Sequence, residues 1–126
     1  AMGSGNWAEA SSTALGSNAQ ANHDGALAVG GGLVNGNIDL DGDGTVDGIL
    51  DPTRADGRNA VAMGNGAHAG GDYSVAVGVA AQAGGRSASA WGVGARASAA
   101  FGTAISFGAV AARDHAISVG SAGNER

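Results

Sequence analysis

Gly16, Gly30, Gly64, Gly78, Gly92 and Gly120 stand on one 14-residue ruler once an extra stretch between Gly30 and Gly64 is set aside. The residues before them read Thr13-Ala14-Leu15, Leu27-Ala28-Val29, Val61-Ala62-Met63, Val75-Ala76-Val77, Ser89-Ala90-Trp91 and Ile117-Ser118-Val119. Larger, small, larger, Gly is the unit. Three and five places after the glycine a second alternation recurs, as Ala19/Ala21, Ala67/Ala69, Ala81/Ala83 and Ala95/Ala97. A fixed period this short belongs to stacked coils. It cannot hold a helix, a strand and their connections, but it fits two strands of about five residues and two tight turns. The sequence therefore predicts an all-β parallel solenoid. Each glycine closes a first strand, where positive φ or close backbone approach is needed. Alternation sends two larger side chains to one face and one alanine to the other.

One mark is missing from the ruler. Gly108 comes two places late after Gly92, and Gly120 comes correspondingly early after Gly108, around Ile105-Ser106-Phe107. Loops absorb length changes more readily than a stacking register does. The expectation is that the coil from Gly102 to Gly108 swells by two places and the next gives them back.

At 126 residues the chain is one domain by length. With 25 Gly and no amphipathic helical spacing it is not a bundle of packed helices. Nor is it a flexible linker, because only 13% of residues are charged and the apolar period is strict. Two large side chains per coil bury too little to offset the ordering of a whole coil. The alanine face should then lie flat against another copy of the chain, which predicts a homo-oligomer.

Ser74-Val75-Ala76-Val77-Gly78, with the Ala81/Ala83 echo and the 14-residue period, resembles the head repeat of trimeric autotransporter adhesins of the YadA type. The resemblance runs from about Ser11 to the end. His115-Ala116-Ile117-Ser118-Val119-Gly120-Ser121-Ala122-Gly123-Asn124-Glu125-Arg126 is similar to the start of that family's neck motif. The resemblance implies a left-handed parallel β-roll, three chains side by side in a parallel homotrimer, and display on a Gram-negative outer membrane. It implies attachment to host extracellular matrix or cell-surface molecules. Membrane anchoring would belong to C-terminal parts beyond this sequence, which reads as an excised fragment. The chain divides into residues 1–10 (a tag remnant at Ala1-Met2-Gly3-Ser4 and a first partial coil), head repeats 11–34, an insert 35–58, head repeats 59–114, and 115–126 as last coil and start of the neck.

The insert holds the densest polar group. Asp39, Asp41, Asp43 and Asp47 occupy positions 1, 3, 5 and 9 of a loop with Gly44 at 6 and the Thr45 carbonyl at 7. That spacing suits a hard cation, calcium above all. Position 12 is Leu50 rather than a bidentate Glu, with Asp51 next to it. A second reading is a β-hairpin over Asn37–Leu40 and Thr45–Leu50, with Asp-Gly-Asp-Gly as its turn. The two are compatible, and no cofactor is required elsewhere.

His23, His68 and His115 fall at expected turns or edges and read as exposed structural residues. Trp91 and Phe107 occupy larger-apolar slots and are expected in the core. No Gly-x-Ser-x-Gly elbow or Ser-His-Asp arrangement is present, so no catalytic residue is assigned and the chain reads as non-enzymatic. A net charge of −5 without a basic patch disfavours nucleic acid. Trimeric left-handed β-helix enzymes are the alternative class, but their coils are built from hexapeptide steps that a 14-residue ruler does not fit. A calcium-binding structural module is the other alternative. No ligand-binding residues can be named, because adhesive surfaces of repeat folds spread over many coils.

Overall fold

The computed structural model describes residues 2–3, 5–31 and 52–121. In chain order the strands are β1 (Trp7–Ala8), β2 (Thr13–Ser17), β3 (Gln20–Ala21), β4 (Leu27–Gly31), β5 (Arg54–Ala55), β6 (Val61–Met63) and β7 (His68–Ala69). They continue as β8 (Val75–Val77), β9 (Gln82–Ala83), β10 (Ser89–Trp91), β11 (Arg96–Ala97), β12 (Thr103–Ile105), β13 (Val110–Ala111) and β14 (Ile117–Val119). Odd-numbered strands form one seven-stranded sheet and even-numbered strands the other, each in sequence order. Every pairing is parallel, so the chain is a β-solenoid of about seven turns, with no helix among the described residues. Most strands are two or three residues long, shorter than expected, because turns take the rest of each 14-residue coil.

Alternation decides the interior. Ala14, Ala28, Ala62, Ala76, Ala90 and Ala104 of the even sheet point inward, as do Ala21, Ala55, Ala69, Ala83, Ala97 and Ala111 of the odd sheet. Among the described residues every buried apolar side chain is alanine, and the largest fully buried ones are Thr53 and Ser74. This corrects the expectation that the alanine face packs on another copy. A coil this short leaves room inside for one methyl per slot, so the larger residues must turn outward.

The glycine ruler has a steric cause. Gly78 has φ +131°, and a methyl there would sit 2.6 Å from the Gly92 carbonyl oxygen of the next coil. Ser106 fills the same slot at φ 99° and donates its N–H to Trp91 O at 2.8 Å. The swollen coil is therefore corrected as well. Trp91 pairs with Ile105 and Ile105 with Val119, so the 14-residue register holds on both sides of Ser106. Gly108, φ +63°, belongs to the following turn with Gly94 and Gly66 rather than to the ruler.

Arg54 pairs with Gln20 and Ala55 with Ala21, as one coil pairs with the next. Residues 54–58, assigned from sequence to the insert, are thus solenoid. Thr53 hides this by replacing the alanine that opens the second alternation in the other coils.

Candidate interaction surfaces

The two sheets present unlike outer faces. On the even sheet the outward pairs are Thr13/Leu15, Leu27/Val29, Val61/Met63, Val75/Val77, Ser89/Trp91, Thr103/Ile105 and Ile117/Val119, stacked in register. With strands about 4.8 Å apart and alternate residues about 7 Å apart, they make an apolar strip on the order of 30 Å long. Trp91 is 45% exposed and Ile117 72%. Phe107, on the adjoining corner beyond Val93, is also 72% exposed. The expectation that Trp91 and Phe107 lie in the core is overturned within the single chain, because an interior lined with alanine cannot hold a ring. A contiguous apolar strip of this kind marks an interaction surface.

The odd sheet carries mostly polar side chains outward, in the column Gln20, Arg54, His68, Gln82 and Arg96, with the exposed Trp7 and Val110 at its two ends. Beside it the Asp56 carboxylate draws on three coils. Asn22 Nδ2 donates to Oδ1 at 2.6 Å, while Arg54 lies 2.9 Å and His68 Nε2 2.8 Å from Oδ2. Burial would raise the Asp56 pKa, but hydrogen bonds from His68 and Asn22 and the charges of Arg54 and His68 outweigh it and bring it from 3.8 to about 2. Sequence reading misses this group because it places Arg54 and Asp56 in the insert and treats His68 alone. The signal that could have found it is Thr53-Arg54-Ala55 in phase with Ala19-Gln20-Ala21.

His23 and His115 lie at exposed turns, as expected, and the His115 ring sits 4.9 Å from that of Phe101. His68 is instead on β7, half exposed and paired. The calcium set Asp39, Asp41, Asp43, Thr45 and Asp47 lies outside the described residues. Among the described residues no three His, Asp or Glu side chains converge to hold a metal ion. Among them, too, no helix is long and apolar enough to cross a membrane.

The YadA head domain repeat matches the chain twice, over residues 9–32 and 55–81. The chain carries a YadA-like head domain. The second match opens at Ala55, inside β5, so the two matched segments flank the insertion. YadA heads are domains of trimeric autotransporter adhesins and are structural rather than enzymatic, which supports an adhesin role for this one. No curated protein matches the chain.

Proposed function

We propose that this YadA-like head is the non-enzymatic binding head of a Gram-negative surface adhesin, working as a parallel homotrimer of left-handed rolls that attaches to host extracellular matrix or cell-surface molecules. The observation that carries the reading is the even-sheet strip, whose Leu15, Met63, Trp91, Ile105 and Ile117 are left in water by a single chain. Two further copies cover it most simply, since identical rungs repeat at identical spacing and a closed ring leaves no strip unmatched. The odd sheet, with its polar column, then faces outward to the host.

The insertion carries the second element of the proposal. Residues 32–51 contain Asp39, Asp41, Asp43, Asp47 and Asp51 and no Lys or Arg, so the whole formal charge of −5 is on them, with six acids and six bases elsewhere. Calcium held by Asp39, Asp41, Asp43, Asp47 and the Thr45 carbonyl relieves that repulsion.

Light scattering tests assembly, with a trimer expected. Trp91→Asp with Ile105→Asp should give monomers, and a monomeric parent sinks the proposal. Binding of the trimer to a panel of matrix proteins and host glycans tests adhesion, where a blank panel counts against it. Calcium titration by calorimetry, with Asp41→Asn and Asp43→Asn as controls, tests the metal.

A further inference from the structure

A stack of coils with the same alanine lining has a built-in ambiguity, because each coil offers the next the same floor. It is sharpest after the insertion, where the chain must resume on the coil of β3 and β4. The rung of β7 and β8 would lay Ala67, Ala69 and Ala76 on that floor much as the correct rung lays Thr53, Ala55 and Ala62.

Side chains that break the repeat gather at this junction. Thr53 stands in the slot of Ala19, Ala67, Ala81, Ala95 and Ala109, fully buried. Its Oγ1 lies 2.6 Å from Gly64 O, directly after β6, and 3.0 Å from Gly31 O, at the end of β4 just before the insertion. The Gly31 N–H is held at 3.0 Å by Asn65 Oδ1. Asp56, where the next two coils have Gly70 and Gly84, reaches Asn22 in the coil before and His68 in the coil after. A rung slipped by one coil loses all of these contacts while keeping its alanine burial.

We propose that Thr53 and the Asn22–Asp56–His68 chain form a register clasp, selecting the coil on which the solenoid resumes after the insertion. Polar contacts suit this task because they form only when Thr53 and Asp56 sit on the rung beside Gly31 and Asn22, so the right register gains hydrogen bonds that an alanine lining alone cannot supply to the wrong one.

The protein has no cysteine, so introduced pairs report register directly. Leu27→Cys with Val61→Cys places thiols on neighbouring rungs about 4.8 Å apart, whereas Leu27→Cys with Val75→Cys spans about 9.6 Å, beyond disulfide reach. The full chain is refolded by dilution under oxidising conditions and single-chain cross-links are read on a non-reducing gel. Thr53→Ala with Asp56→Gly should raise the 27–75 cross-link by about tenfold or more and lower the 27–61 one. The same substitutions are then made after deleting residues 32–51, which joins Gly31 to Pro52 at ordinary coil length. There the 27–75 cross-link should not rise, since no long connection remains to let a rung be skipped. An unchanged 27–75 yield in the full chain, or an equal rise in both backgrounds, overturns the clasp. Failure to refold only when the insertion is present supports it. Failure in both backgrounds overturns it, because the residues would then be general stabilisers.

Discussion

Replacing Asp56 by Asn removes a charge that three side chains hold, and the effect must depend on pH in one direction. The carboxyl titrates at about 2 in the folded chain against 3.8 ordinarily. That gap of about 1.8 units, at about 1.36 kcal/mol each, is roughly 2.4 kcal/mol. The side chain is 24% exposed, and solvent screening trims this to about 1–2 kcal/mol. Because the folded pKa lies below the unfolded one, the contribution is fully present above about pH 4 and is lost as pH falls through about 2. Urea unfolding of parent and Asp56→Asn, at one fixed protein concentration, should show the parent ahead by about 1–2 kcal/mol at neutral pH. The gap should close toward pH 2. A gap equal at both ends would refute the electrostatic account and leave only lost packing.

Two glycines should respond in opposite senses. A methyl at Gly84 meets nothing within 4 Å, so Gly84→Ala should stabilise by about 0.4–1 kcal/mol, whereas Gly78→Ala, at φ +131° and against the Gly92 carbonyl, should cost about 1–3 kcal/mol; thermal melts check both. Ser74 Oγ is buried without a hydrogen-bond partner, so Ser74→Ala should stabilise by about 1 kcal/mol in urea unfolding, and a loss would point to an internal water serving the hydroxyl. Ala76 lines the interior rather than an interface, so Ala76→Arg should abolish the far-ultraviolet β signal of the chain itself instead of releasing folded monomers.

Much of this fold is legible because one residue type per slot is under a hard steric limit. The ruler glycines can be read since a methyl there meets the next backbone, and the alternation can be read since Ala76 and its equivalents have opposite surroundings from Val75 and Val77. Which face is inside cannot be read from alternation, which is symmetric between faces. Only the width of the coil breaks the tie, and width follows from turn geometry that composition does not reveal. Ser106 misleads for a related reason: a left-handed position suggests glycine, and Gly108 stands nearest, although Ser106 itself adopts φ 99°. Thr53 misleads because it keeps the alanine slot while adding a hydroxyl that only its two carbonyl partners explain. The Asp56 cluster joins residues 22, 54, 56 and 68, whose proximity follows only once the insertion is cut at its true end.

The division between the two kinds of apolar residue bears on the proposed assembly. An inward alanine contributes one methyl, about 0.8 kcal/mol on burial, whereas each outward Leu, Val, Met, Ile or Trp offers about 1.5–3 kcal/mol if covered. The interior of one chain thus holds the weaker part of its apolar content, and the even sheet holds the stronger part in water. Backbone ladders between rungs fix the shape of the coil but discriminate poorly between one coil and the next. Cover for the even sheet is therefore the largest stabilising term still open to the chain, and its repeat of identical rungs makes further copies of the same chain the surface best matched to it.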